Sequence, residues 1–426
     1  MFDWIRKRLG GGQPAADRYE EFVRGFVAEC KLQNVLPKSY DPDARAFVFI
    51  REDGSEMTYF MHNGFREWLG RDREGRNELT IRWVRSVVEG LRIDTLDPDK
   101  LPGELMPGIR SSSQISNVLI NNWISGAPAD DSTATAFHAL VGDLVVCAMR
   151  DRPNSMSQMT HVNLAAARLS LDQAMQHAMA NFRQRIQPPV FESLGDGLFG
   201  SNNLADYQSA MLLLTPGTDY PLPAIDGAPV AVVPTRNLFY LTGSASRAGL
   251  AKALDIVQKA AQMGHFLSSA ILQWDGRRWV EAELAGDLAA RQQEITRHQL
   301  AADYGSQKQL LDQYHQSKGQ DIFVASTMLY SAKESRELFS VAVLASGTTG
   351  TLVPRTDRLF FAKQRVDPQT GLAQQQPDDT ADVAWSDAMD IVGHLFEPVP
   401  HLQPPRLRAL RFPTGDLWAR LKAVAR

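Results

Sequence analysis

The sequence predicts an α+β protein built from repeated mixed α/β units, with mainly antiparallel sheets packed by helices and a C-terminal extension. Three observations carry this expectation. The first ninety or so residues read as helix, strand, strand, helix, helix. Two pairs of β-rich runs flank Asp-Gly turns, at Asp53-Gly54 and Asp275-Gly276, which is a hairpin signal. A strand phrase occurs twice, as VVPTRNLFYLTG at 232–243 and LVPRTDRLFFAK at 352–363.

Residues 1–15 form a basic, Phe- and Trp-bearing segment followed by a Gly-rich linker. A helix is expected after Asp17, with Glu20 at the capping-box position and apolar residues 19, 22, 23, 26, 27 and 30 at helical spacing. The FVFIREDGSEMTYFM hairpin follows, then a short helix in NGFREWLG. A longer helix in NELTIRWVRSVVEGL carries Ile81, Val84, Val88 and Leu91 on one face. Residues 95–133 are rich in Pro, Gly, Ser and Asp and read as a boundary or crossover. They close a first unit at 16–133 that contains all of these elements.

The second unit is expected at 134–290. FHALVGDLVVCAM and SMSQMTHVNL read as two strands around a turn at RDRPN. Ser170 starts a helix with Gln173 at its capping-box position. ADYQSAMLLL reads as a strand, and a helix at about 246–263 precedes the Asp275-Gly276 hairpin. Residues 286–318 are polar, Gln-rich and helical in character, and a third unit is expected at 291–363. DIFVASTMLY and ELFSVAVLAS then read as strands leading to the second copy of the phrase. The remainder, 364–426, reads as a polar loop, a Pro-rich run and a C-terminal amphipathic helix.

In the repeated phrase, proline belongs at a strand edge or start, because it cannot donate to a ladder. The polar pair and the Asn or Asp then make a turn. This backbone role accounts for every residue type in the phrase. A functional role would instead project Arg236, Asn237 and Asp357 from strand ends into a cleft, with Asp206 and Ser209 leading the first copy.

Composition excludes several classes. The chain of 426 residues is 44% apolar and carries a net charge of −4, with a pI near 6.2. No global attraction to nucleic acid follows, and no nucleic-acid partner is expected. Cys30 and Cys147 lie in apolar patterns and read as buried, so neither a disulfide nor a thiolate metal site is expected. The nine histidines are scattered without i, i+4 pairing, and no metal or cofactor is expected. GDGLFG matches a dinucleotide-binding string but precedes turn-like residues, and reads as a hairpin loop. The acidic residues Asp378, Asp379, Asp382, Asp387 and Asp390 read as a solvated loop. No secretory signal or membrane span is expected, which leaves the cytoplasm, with weak membrane-surface association open to the basic N-terminal segment.

The segment GDLVVCAMRDRPNSMSQMTHVNLAAARLSLDQAMQHAMANF, with DYQSAMLLL and GAPVAVVPTRNLFYL, resembles a bacterial family of unknown function, the YtpQ-like family. The resemblance covers about residues 138–285. Its pattern falls on Thr160, Ala178, Asn181, Asp206, Ser209, Pro234, Arg236 and Asn237, with Asn237 where the family has Asp. It implies a fold neighbourhood and no reaction.

With no catalytic motif in hand, we expect a non-catalytic cytoplasmic interaction or scaffold protein, docking a protein partner through the N-terminal segment or the C-terminal helix. The alternative is an enzyme or small-ligand binder with a polar cleft around Asp206, Ser209, Arg236 and Asn237.

Overall fold

A computed structural model describes residues 13–92, 96–201, 204–263, 266–332, 337–348, 350–366, 373–374 and 377–425. The fold is α+β, with mostly antiparallel sheets. The chain divides into two compact units, Met1–Glu104 with Arg150–Ser157, and Leu105–Met149 with Gln158–Arg426. Residues 1–12, which include the basic amphipathic segment, lie outside the described residues.

In the first unit, α1 (Gln13–Leu32) starts earlier than the expected position after Asp17. Pro14, read from sequence as part of a linker, fits the first turn of a helix, where its missing N–H costs nothing. Tyr19, Phe22, Val23, Phe26 and Cys30 are buried, as their spacing predicts. The strands β1 (Ser39–Asp41), β2 (Ala46–Ile50) and β3 (Glu56–Phe60) form an antiparallel sheet in that order. In the β2–β3 turn, the Asp53 carboxylate accepts the Ser55 N–H at 2.8 Å.

Next come α2 (His62–Leu69) and α3 (Arg73–Leu91). Asp72 caps α3 by accepting from the Gly75 N–H. The buried face of α3 is Leu79, Thr80, Val84 and Val87, turned slightly from the stripe its sequence suggests. The core is aromatic, with Phe26 stacked on Phe47 at 5.4 Å between ring centres. The short α4 (Leu101–Glu104) ends the continuous part of the unit, and Arg150 Nε donates to Glu104 Oε2 at 2.6 Å.

The second unit opens with β4 (Leu105–Ser111) and α5 (Ser112–Ile124). The stretch read as a boundary therefore holds a buried strand and a helix. Its serines serve a helix start: Ser111 is the N-cap and accepts from the Gln114 N–H. The run expected as one strand is a hairpin of β5 (Phe137–Val141) and β6 (Leu144–Asp151), turning at Gly142-Asp143. β7 (Met156–Gln158) pairs with β6, and the sheet order is β4-β6-β5. Two capping boxes start α6 (His161–Ala166) and α7 (Leu171–Arg185), the second at Ser170 and Gln173 as its sequence predicts.

A six-stranded sheet follows, in the order β13-β12-β10-β11-β9-β8. Its strands are β8 (Glu192–Ser193), β9 (Phe199–Ser201), β10 (Pro229–Val232), β11 (Phe239–Gly243), β12 (Leu272–Trp274) and β13 (Trp279–Glu281). The GDGLFG string lies in the β8–β9 hairpin, with Gly195 and Gly197 at positive φ. ADYQSAMLLL is a 3-10 helix, Ala205–Leu213, and not a strand. Its Ala210, Met211 and Leu212 are all buried, so the continuous apolar run marks burial and not a strand period. β10 is buried on both faces. Ala231 joins the core with Phe182 and Phe239, while Val230 and Val232 pack in a second core with Leu254 and Val257 of α8 (Arg247–Met263).

The Gln-rich segment is one helix, α9 (Gly286–Ser317), whose Leu288 and Ile295 join that second core. Of DIFVASTMLY only β14 (Met328–Ser331) is a strand. β15 (Leu338–Ala345) pairs with β14, and β17 (Arg358–Ala362) lies parallel to β15. β16 (Leu352–Pro354) pairs in another sheet with β22 (Arg406–Ala409), which pairs in turn with β21 (Phe396–Pro398). The two copies of the Val-Pro phrase thus serve different connections. The first joins antiparallel neighbours β10 and β11, and the second passes between two sheets.

β18 (Arg365–Val366) and β19 (Ala373–Gln374) form a ribbon. The polar segment read as a loop also contains β20 (Thr380–Ala384), whose alternate residues Ala381 and Val383 are buried beside β17. Two small apolar residues among aspartates gave too weak a signal. Asp382, in the same strand, accepts from Arg358 Nε at 2.8 Å. Helix α10 (Trp385–Val392), β21 (Phe396–Pro398), β22 (Arg406–Ala409) and α11 (Asp416–Val424) complete the unit. Trp418 and Leu421 of α11 are buried in the core that holds Leu359, Phe361 and Val383. No helix among the described residues is long and apolar enough to cross a membrane.

Candidate functional site

The second unit brings two carboxyl groups together at a cavity of about 660 Å³. Asp143 stands in the β5–β6 turn. Gly142 before it has φ +58°, a left-handed conformation that favours glycine, and a Cβ there would meet only the mobile carboxylate end of Glu281, at 2.5 Å. Asp143 Oδ1 accepts from the Ser268 hydroxyl at 2.6 Å, and Oδ2 accepts from Gln299 Nε2 at 3.0 Å. Its carbonyl accepts the Ser112 N–H at the first turn of α5, at 2.8 Å. The other end of the Gln299 amide accepts the Ser269 N–H at 2.8 Å, which orients its NH₂ group toward the acid.

Asp303 lies one helical turn beyond Gln299 on α9, so both project from one face. It accepts hydrogen bonds from Ser113 and from Gln299. Burial pushes its carboxyl up to about 6, and the neighbouring Asp143 charge adds to that rise; the hydrogen bonds pull the other way. Asp143 is raised from the ordinary carboxylate range, chiefly by burial, against hydrogen bonds from Ser268 and Gln299 and with a further push from Glu281.

Residues Gln403–Pro405 form one wall of this cavity. Tyr304 donates its hydroxyl to the Pro405 carbonyl at 2.8 Å, and Gln307 Nε2 donates to that of Pro404 at 2.9 Å. The Gln403 N–H donates to Ser116 Oγ at 3.0 Å. A second cavity of about 360 Å³ is lined by Phe266, Ile295, His298 and Ala302. Gln299 and Asp303 line both cavities and so form a shared partition.

The residues singled out from sequence fall elsewhere, with one link to the cavity. The Ser209 N–H donates to the Arg236 carbonyl at 3.0 Å, so the segments before and after β10 meet through their backbones. Ser209 is buried, whereas Arg236 and Asn237 are exposed, and none of the three lines either cavity. Asp206 belongs to the 3-10 helix, and its side chain lies outside the described residues.

Asp357 accepts from Arg297, Nε to Oδ2 at 3.1 Å and Nη2 to Oδ1 at 3.3 Å, and from the Ser340 N–H and hydroxyl at 2.7 Å each. Burial raises its carboxyl, but the Arg297 and Ser340 bonds outweigh this and hold it below the ordinary range. Its contribution to stability is present above the unfolded carboxylate range and is lost as pH falls through the lowered folded value. Asp357→Ala is expected to cost about 1–2 kcal/mol at pH 7, discounted for exposure. Denaturant unfolding at pH 7 and pH 3 checks this. An undiminished loss at pH 3 would contradict the ionic role.

Sequence reasoning missed Asp143 and Asp303. For Asp143 a signal exists, since Gly-Asp between two β-rich halves is a turn signal. Asp303 sits in a polar helix with nothing local to distinguish it. Among the described residues, no group of three or more His, Cys, Asp or Glu could hold a metal ion. Cys30 and Cys147 are free and buried, and burial pushes the Cys147 thiol up to about 11, which removes it from thiolate chemistry. No family model matches the chain, and no curated protein or solved structure matches it either.

Proposed function

We propose that this chain is a small-ligand binder whose site is the cavity at Asp143 and Asp303, with the two carboxyl groups able to exchange protons with what binds there. The observation that supports this is the pair itself: two carboxyls with raised proton affinity, joined through Gln299, facing a cavity of about 660 Å³. Cavities of about 300–1,000 Å³ with a few convergent polar groups suit small molecules. Asp357 shows the contrast within the same unit, for there an aspartate with a structural task has an arginine and a lowered proton affinity. Asp143 and Asp303 are held where ionisation is costly, which is the pattern of a working site.

The interaction reading draws less support. Helix α11 commits Trp418 and Leu421 to its own core. A cytoplasmic location and membership of the YtpQ-like family belong to the proposal and rest on sequence alone.

A thermal-shift screen against cationic, neutral and anionic metabolites tests the function. A binder is expected to raise the melting temperature by several degrees when well above its Kd, and the shift is expected to vanish in Asp143→Asn and Asp303→Asn. A shift retained in both variants, or no binder in any of the three classes, would refute the assignment to this cavity.

A further inference from the structure

The partition between the two cavities consists of the same side chains that carry the acid pair. Asp303 and Gln299 face the 660 Å³ cavity on one side and the 360 Å³ cavity on the other. A molecule bound at Asp303 therefore has space in two directions. The charged groups around it are unevenly distributed. Asp143, Glu281 and Asp303 line the larger cavity, together with Arg297, whose guanidinium is engaged by Asp357. The smaller cavity adds Glu294 and His298, with Gln114, Gln258 and Gln262 on its polar side and Phe266, Ile295 and Ala302 on its apolar side. Hydrogen-bond acceptors with negative or latent negative charge thus meet at the partition, and beyond it opens a chamber of mixed lining with one apolar side, formed by Ala261, Phe266, Ile295 and Ala302.

We infer that the two cavities are subsites of one elongated ligand, an ammonium- or guanidinium-headed molecule whose head sits between Asp143, Glu281 and Asp303 and whose apolar body extends past Gln299 into the smaller cavity. The inference rests on the proposed binding function and specifies its ligand class. The head matches the acceptors in number, since an ammonium group has three donors and a guanidinium five. A cation there also supplies the charge that the buried carboxyls lack, so its arrival favours their ionised forms and binding releases protons. Release is greatest at pH values between the ordinary carboxylate range and about 6, where Asp303 in the free protein still holds its proton. A neutral head of the same shape would release none.

The probes are methylammonium, hexylamine and 1,6-diaminohexane, with 1-hexanol and hexanoate as length-matched neutral and anionic controls. Titration calorimetry of the full chain at pH 5.5, in two buffers of different ionisation enthalpy, reads both affinity and proton release. Hexylamine is expected to bind with proton release and at least tenfold more tightly than 1-hexanol or hexanoate. Asp303→Asn is expected to weaken hexylamine at least tenfold and to diminish the release. Ala302→Trp, which fills the smaller cavity from an exposed helix position, is expected to weaken hexylamine several-fold and leave methylammonium unchanged.

Binding of the alcohol or carboxylate as tightly as the amine, with dependence on Asp303, would overturn the cationic head and leave the cavity assignment standing. Hexylamine affinity unchanged by Ala302→Trp, in a variant whose circular dichroism matches the parent, would overturn the two-subsite geometry. Failure of every probe would overturn the ligand class, and failure of the wider metabolite screen as well would remove the binding function.

Discussion

Asp303→Asn is expected to make the protein more stable at pH 8, by about 1–2 kcal/mol, and to leave it unchanged at pH 4. The folded carboxyl titrates at about 6, raised from the ordinary value of 3.8. Below the unfolded value both states hold the proton, and Asp303 costs nothing. Between about 4 and about 6 the folded chain keeps a proton that the unfolded chain has lost, so stability falls as pH rises. Above about 6 the penalty is constant, at about 2–3 kcal/mol for a rise of roughly two pH units. Asparagine keeps one acceptor oxygen for Ser113 or Gln299 and never ionises, so it recovers most but not all of that penalty. Urea unfolding of parent and variant at both pH values, followed by tryptophan fluorescence, gives the difference directly. Equal destabilisation at pH 4 and pH 8 would show that Asp303 is a structural residue and would undercut its place in the site. A gain in stability on losing a polar side chain is what a functional residue leaves behind when removed.

Arg406→Met is expected to cost about 3–5 kcal/mol, the largest single loss we anticipate outside the apolar cores. Arg406 is 1% exposed. Its Nε donates to Gln307 Oε1 at 2.6 Å, Nη1 to the carbonyls of Ala325 and Leu352 at 2.8 and 3.1 Å, and Nη2 to that of Tyr304 at 3.0 Å. The guanidinium also lies 5.0 Å from the centre of the Tyr304 ring. These partners are neutral, and burial pulls the guanidinium down to about 10. The side chain therefore ties α9, the β16 strand and the segment before β14 to β22, and its loss strands several buried acceptors at once. Methionine fills much of the volume and satisfies none of them. Arg406→Lys separates charge from geometry, because three donors at one point cannot reach acceptors arranged around a planar fork. A lysine variant as stable as the parent would show that charge alone matters, and a methionine variant within about 1 kcal/mol would contradict the account.

Much of the fold was legible because it is written locally. Ser170 with Gln173, Asp53-Gly54 and the stripe from Tyr19 to Cys30 each specify an element within a few residues. The misreadings came where one local signal has two structural outcomes. Pro14 suits a linker or a first helical turn. The serines at 111–113 suit a loop or an N-cap. A continuous apolar run such as SAMLLL marks burial in any conformation. The site was less legible for a different reason. Its residues come from the β5–β6 turn, the α5 start, the segment before β12 and one face of α9, and no spacing rule joins positions 113, 143, 268, 299 and 303. The motif that looks most informative, the twin Val-Pro phrase, marks where one strand ends and the chain turns toward the next, since Pro234 follows β10 and Pro354 closes β16. Its Asp357 holds Arg297 and Ser340 in place, a structural task close to the cavity wall.

The wall at Gln403–Pro405 has a consequence for how the protein is made. The Ser116–Gln403 hydrogen bond joins residues 287 apart in sequence. Synthesis runs from the N-terminus, so Asp143, Gln299 and Asp303 leave the ribosome well before the segment that encloses them. The cavity is thus one of the last features of the unit to be completed, and a chain stalled before residue 403 would lack this wall together with β22, Arg406 and α11.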